Sequence, residues 1–371
     1  MASMKMIAIL AAAIIVVAAA AAVVVVNDGN DDDSFTIVDG SGNKVSFDGP
    51  VDNIATVGDN ICEAVKILGF SDKIKGLSIY TSSEDNDKAF WDKYSPMFPN
   101  STHLSKTKDM TGEELIEAGI KCVIAPTKSM TVKSDQEKSY NELGIKVVRL
   151  DCNGDETIND FKTIIKLLSG KETNEYLEDY LEMSNSVINT VKEKVRNENF
   201  DGKTFLAFFN SKNAFYNQTS VVSNNIEEIY GKNALRNIEN LDLSGISNEA
   251  KTLAESLVKI DNEKNIDKLF FRFSKDAVKN YNDSDLVKNE ILKNISPIKS
   301  CEVYMMHTDI MSGPLAYISY IAYAEFCGVD TGFDVSKLIS EYNEKYGFSE
   351  SSSGLFYKLQ SDGTMKEIVI N

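Results

Sequence analysis

A chain of 371 residues, 43% hydrophobic and 26% charged, exceeds one small domain and carries enough apolar residues to bury a core, which excludes a disordered chain. Its 39 basic and 56 acidic residues leave a formal charge of −17, without the basic face that a phosphate backbone demands, so nucleic acid is not expected as a partner. Five widely spaced cysteines, Cys62, Cys122, Cys152, Cys301 and Cys327, form no CxxC pair, and a zinc or cluster site is unsupported.

The first element is an unbroken apolar run from Ile7 to Val26, about 30 Å long as a helix and so able to cross a membrane. Lys5 precedes it and Asp28, Asp31, Asp32 and Asp33 follow, a bias that places the start of the chain in the cytoplasm and the body outside. No cysteine ends the run as a lipoprotein signal requires, and its length favours an uncleaved anchor over a cleaved signal. The expected location is the cell membrane, with the folded body outside the cytoplasm.

Phe35 to Phe47 alternates apolar and polar residues around a Gly/Asn turn and predicts a β-hairpin. Short apolar strands then alternate with helical patterns: a strand at Asn53 to Val57 with a helix at Ile61 to Leu68, a strand at Ile74 to Ile79, a helix at Glu113 to Ala118, and strands at Cys122 to Ala125 and Ile145 to Leu150. Such alternation predicts a parallel sheet covered by helices. From Thr157 to Leu168 and Thr173 to Glu198 the apolar period becomes helical, with Leu177, Tyr180, Leu181, Val187, Ile188, Val191 and Val195 on one stripe, so a rigid helical connector is expected. Strands are predicted again at Lys203 to Phe209, Lys268 to Phe273 and Val303 to Met306, with helices at Ile226 to Tyr230, Leu253 to Val258, Gly313 to Phe326 and Val335 to Tyr346. A second hairpin is predicted around Ser361-Asp362-Gly363.

The fold class expected is therefore α/β, two lobes each with a central parallel sheet flanked by helices and joined by one long α-helix. Residues 1–33 form the anchor and tether, 34–156 the N-terminal lobe, 157–200 the helical linker, 201–346 the C-terminal lobe and 347–371 a hairpin extension.

Three segments together resemble one known family. They are Asp52-Asn-Ile-Ala-Thr-Val-Gly58 running on through Leu68-Gly69 to Gly76, Thr111-Gly-Glu113-Glu-Leu-Ile-Glu-Ala-Gly-Ile-Lys-Cys-Val-Ile-Ala125, and Leu143-Gly-Ile-Lys-Val-Val-Arg-Leu-Asp151 with its following helix and Leu168-Ser-Gly-Lys-Glu172. Their order and spacing resemble the helical-linker substrate-binding proteins that capture ferric siderophores, haem and cobalamin for ABC importers. The likeness covers about Phe35 to Tyr346; Gly119-Ile120-Lys121 stands where that family usually has Pro-Asp, and the C-terminal hairpin is an addition. The resemblance implies a metal chelate as cargo, the importer's membrane subunits as partners, and no catalysis. It also implies that Glu113 and Glu255, one acid on each lobe, dock on basic pockets of the importer.

In parallel sheets ligands sit beyond the carboxyl ends of the strands. That rule selects Asp59, Asn60, Tyr80, Thr81, Thr127, Lys128 and Asp151 in the first lobe, and Asn210, Ser211, Tyr216, Ser274 and His307 in the second. Trp91 falls in what reads as a long loop between Tyr80 and Met110, and loops of that length are often functional. Tyr80, Trp91, Phe215 and Tyr216 either stack on a flat chelate or belong to the core. Arg149 and Arg272, near strand ends, either clamp a carboxylate in the cleft or sit in buried ion pairs. With only His103 and His307 in the chain, no resident metal or cofactor is expected. Two alternatives stand beside the transport reading. One is a free-metal-ion binding protein. The other is an extracytoplasmic two-lobed enzyme or metal-binding protein, against which speaks the lack of GxSxG, HExxH or a glycine-rich phosphate loop.

Overall fold

The computed structural model describes residues 34–79, 84–104, 110–127, 132–208, 220–236, 257–263, 265–274, 276–284, 288, 290 and 292–370. The apolar run from residue 7 to residue 26 lies outside them, and among the described residues no helix is long and apolar enough to cross a membrane.

Strands β1 (Phe35–Val38) and β2 (Lys44–Phe47) pair antiparallel as the alternation predicts. The Asp39 carboxylate fixes the turn between them by accepting the N–H groups of Ser41 (3.0 Å) and Asn43 (2.8 Å). It also accepts the Arg149 N–H at 3.1 Å, which ties the hairpin to the edge of the first sheet.

That sheet contains β3 (Ile54–Val57), β4 (Ile74–Ser78), β5 (Thr102–His103), β6 (Cys122–Ala125) and β7 (Lys146–Arg149) in the order β5-β4-β3-β6-β7, every neighbour parallel. β3 and β6 are buried at every position, as strands covered on both faces must be. The connecting helices are α1 (Asp59–Ile67), α2 (Glu84–Tyr94), α3 (Gly112–Glu117) and α4 (Ser134–Glu142). Helix α2 and strand β5 occupy the stretch expected to be a long loop. Acids at Glu84, Asp85 and Asp87 suit the positive N-terminal end of α2, and it buries only Phe90 and Tyr94, one turn apart.

The connector is α5 (Thr157–Ser169), closed by Gly170 at φ 72°, then α6 (Glu175–Val195). At 21 residues α6 runs about 31 Å. Its predicted stripe is buried at Leu177, Tyr180, Val187, Val191 and Val195, and half-buried at Leu181 and Ile188.

In the second lobe β8 (Thr204–Phe208), β9 (Lys232–Asn233), β10 (Lys268–Phe273) and β11 (Val303–His307) are parallel in the order β9-β8-β10-β11. Here the expectation of a purely parallel sheet needs correcting. β12 (Phe356–Leu359) pairs antiparallel with β11, and β13 (Met365–Glu367) antiparallel with β12, so the C-terminal hairpin completes the sheet as its edge. The cause is apolar: Phe356, Leu359 and Met365 are all buried. Around this sheet lie α7 (Val221–Ile229), α8 (Ala277–Asp283), α9 (Ser296–Lys299), α10 (Thr308–Met311), α11 (Tyr317–Phe326) and α12 (Val335–Tyr346). Nine of the ten residues of α11 are buried, and the helix packs against α6 and α7. One continuous core thus runs from the hairpin β1–β2 through α5 and α6 into the second lobe, while the far face of each sheet carries its own smaller core.

Candidate functional site: a cleft between the lobes

The carboxyl ends of parallel strands from both sheets converge on a cleft of about 330 Å³. The first lobe supplies Asp59 and Asn60, opening α1 after β3, and Asn153 and Gly154 after β7. The second supplies Ser220, Val221 and Val222 opening α7, Arg272 of β10, and Thr308, Asp309, Met311 and Ser312 beyond β11. Most of the lining is thus strand end or helix start, as the rule for parallel sheets leads one to expect, and Met311 and Ser312 close the short helix α10.

Glycines set how closely the lobes meet. Gly313, at φ +75°, lets the second lobe reach the Asn60 amide; a Cβ there would lie 2.4 Å from Asn60 Oδ1. Gly154, at φ +65°, does the same for Val221, whose methyl would be 2.6 Å from an added Cβ. The Arg272 guanidinium, the cleft's only arginine among the described residues, donates through Nε to Thr308 Oγ1, which also lines the cleft.

Beside the cleft and sharing Asp309 with it lies a second cavity of about 340 Å³, lined by Phe273, Asp276, His307, Glu350, Leu355 and Tyr357 among others. His307 accepts the Asp309 N–H at Nδ1 (3.3 Å) and meets the Phe273 ring edge-on at 5.1 Å.

Between the lobes sits a compact charge cluster. Lys93 Nζ of α2 is 2.9 Å and 3.1 Å from the two Glu350 carboxylate oxygens, 3.8 Å from Asp309 and 3.8 Å from Glu63 of α1. Burial pushes the Glu63 carboxyl up to about 8; Lys93 opposes the rise and Glu350 and Asp59 add to it. Burial also pulls on Lys93, but Glu63, Glu350 and Asp309 outweigh it and hold the ammonium well above the usual lysine range.

Of the residues selected from sequence, the structure brings Asp59, Asn60 and Arg272 together in the cleft and puts His307 in the adjoining cavity. Trp91 lies on α2, half-buried, stacked on His103 at 4.6 Å, and lines neither space. His103 Nε2 is 3.1 Å from Asp87. Arg149 is 5% exposed; its guanidinium donates to the carbonyls of Pro126 (3.3 Å) and Val132 (2.7 Å) and to Glu137 (2.6 Å). It faces a surface groove beside Ser41, Thr127 and Ser134 rather than the cleft. Asp151 accepts the Thr127 N–H and hydroxyl at 2.9 and 2.6 Å. Tyr80, Lys128, Asn210, Tyr216 and Glu255 lie outside the described residues, as do Thr81, Ser211 and Phe215. Glu113 is exposed on α3.

Sequence reasoning missed Asn153, Gly154, Ser220, Thr308 and Asp309. Four of these had a signal: Asn153-Gly154 is a turn dipeptide just past a predicted strand, and Thr308-Asp309 follows β11 directly. Among the described residues no three His, Cys, Asp or Glu side chains gather as a metal ion would need.

No model of a known protein family matches the sequence, and no curated protein matches it. Solved structures do. A TroA-like periplasmic binding protein, FepB from Veillonella parvula, superposes with a TM-score of 0.59 at 14% identity, over 91% of this chain and 99% of that one. CeuE from Helicobacter pylori, solved with Ni(II) bound, gives 0.56 at 17% identity, over 85% and 97%. A periplasmic heme-binding protein from Pseudomonas aeruginosa gives 0.53 at 10% identity, over 85% and 97%. This chain has the two-lobed fold of these binding proteins. The shared fold extends over nearly the whole of each relative, so the cleft described above is the space between lobes in the same architecture.

Proposed function

We propose that the chain is an extracytoplasmic substrate-binding protein that takes a metal chelate of the ferric siderophore, haem or corrinoid class into the interlobe cleft and presents it to the membrane subunits of an ABC importer. The observation that carries this reading is the convergence of both sheets' strand ends on one cleft, in a fold shared with a periplasmic heme-binding protein and with a protein of an Fe3+-hydroxamate transport system. The cleft's polar lining and its arginine suit a chelate with carboxylate or phenolate groups, held by charge-assisted hydrogen bonds. Residues Tyr80, Lys128, Asn210 and Tyr216, placed by sequence next to the same strand ends, are proposed as further contacts. The apolar run from residue 7 to residue 26 is proposed to hold the body at the membrane, near the importer.

The test is thermal denaturation of the purified chain against ferric siderophores, haem, corrinoids and bare divalent ions. A chelate at about 100 times its Kd adds about 2.7 kcal/mol and raises Tm by a few degrees. A shift with one chelate class names the cargo. A shift with bare ions alone replaces this reading with free-metal binding, and no shift with any chelate counts against it.

A further inference from the structure

The Lys93 cluster joins groups from both lobes. Lys93 and Glu63 belong to helices α2 and α1 of the first lobe, whereas Asp309 follows β11 and Glu350 follows α12 in the second. Glu350 is held in place: its N–H donates to Asn343 Oδ1 at 2.9 Å and its carbonyl accepts from Asn343 Nδ2 at 2.8 Å. Its carboxylate side chain is only 9% exposed. One turn of α1 beyond Glu63, Lys66 Nζ lies 5.9 Å from the Phe98 ring of the first lobe and 5.6 Å from the Phe348 ring of the second, so a second cation bridges the lobes close by.

We propose that Lys93 is an interlobe latch beside the cleft, its ammonium holding Glu350 and Asp309 of the second lobe against Glu63 of the first, and that breaking this contact lets the lobes part. Charge balance argues for a latch over a passive bridge. One ammonium stands among three carboxyl groups, so removing it leaves the Glu350 carboxylate of the second lobe, its side chain only 9% exposed, without the cation that ties it to the first. The groups facing Glu63 are Asp59 and Cys62 on its own helix, Tyr94, which donates its hydroxyl to Glu63, Lys93 on α2, and Glu350 and Tyr342 from the second lobe. Only Lys93 among them is a cation. Asp309 lines the cleft as well as the latch, so the latch stands at the edge of the space where cargo is proposed to bind.

The experiment needs no cargo, which keeps it separate from the transport reading. Hydrogen exchange and small-angle scattering are measured on the full chain with Lys93→Met, with Glu350→Gln, and with the control Lys88→Met, an exposed lysine on the same helix paired to Asp92. Glu350→Gln keeps the side-chain shape and serves should Lys93→Met not fold. The expected result is a rise of at least tenfold in exchange across residues 343–355 and 84–94 and a larger radius of gyration in both latch variants, with β6 and β8 still protected and the control unchanged. Unchanged exchange and radius would overturn the latch. So would a uniform rise across both sheets, which would make Lys93 a general stabiliser. Lobes that part on substitution in a chain that binds no chelate would retain the latch and count against the transport reading alone.

Discussion

Glu63 is a buried acid whose carboxyl titrates near 8, against a usual value of 4.5, chiefly because burial disfavours its charge. Between those two values the folded chain binds a proton that the unfolded chain has released. This group therefore stabilises the fold least at high pH: its contribution declines from about pH 4.5 to about pH 8, with a slope of up to about 1.4 kcal/mol per pH unit. Glu63→Gln should flatten that decline, read as urea midpoints across pH 5 to 9; an unaltered slope would mean that other groups cause it. At this scale the sequence was only half legible. The strand-end rule finds Asp59 and Asn60, and the place of Arg272 near a strand end singles it out, but neither reading says to which side of a strand end a side chain turns. Arg149 shows the gap: the carbonyls of Pro126 and Val132, which belong to the neighbouring crossover, draw its guanidinium away from the cleft. Lys93, Glu63 and Glu350 left no trace in the sequence, since their meeting depends on how two lobes pack.

Elements were read best where apolar runs are short and sharply bounded. β6 (Cys122–Ala125), β10 (Lys268–Phe273) and α12 (Val335–Tyr346) have the bounds that their patterns predict. Helix α2 escaped because it has no apolar stripe to betray it; Phe90 and Tyr94 are its only buried residues. Helix α11 starts at Tyr317 instead of Gly313 because Gly313 sits at φ +75°, outside helical space, and Pro314 follows it. The connector offers a direct test of local design. Asn174 caps α6 by accepting the Leu177 N–H at 2.9 Å, and its amide donates to the Leu68 carbonyl at 2.9 Å, joining the linker to α1's end. Asn174→Ala should cost about 1 to 2 kcal/mol and lower the urea midpoint; no change would show that water replaces both bonds without loss.

For the molecule as a whole, the order of the segments foretold two α/β lobes and a helical connector, because each strand-helix phrase carries its own period. The antiparallel edge of the second sheet did not follow from that order, since a terminal hairpin reads the same whether it stands apart or joins a neighbour. The net charge of −17 also acts at this scale, favouring encounter with basic surfaces at low salt. Glu113, exposed on α3, and Glu255 of the second half are the proposed docking acids. Reversing both, Glu113→Lys with Glu255→Lys, should weaken capture by importer membrane subunits at least tenfold and reduce its salt dependence, while Tm shifts with cargo persist. Unchanged capture in a pull-down would remove these two residues from the interface.

The hairpin that finishes the second sheet also fixes a sequence of events in time. β11 has one side on β10 and the other on β12, and α11 and α12 intervene in the chain before β12 is made. While the ribosome works through those helices the outer edge of β11 stands open, an unpaired strand of the kind that recruits other chains. The first sheet has all its strands by Arg149, whereas the second gains its last only with β13 (Met365–Glu367). The first sheet is thus complete long before the second, and a chain cut between α12 and β12 would have every strand of the first sheet and leave the second unsealed.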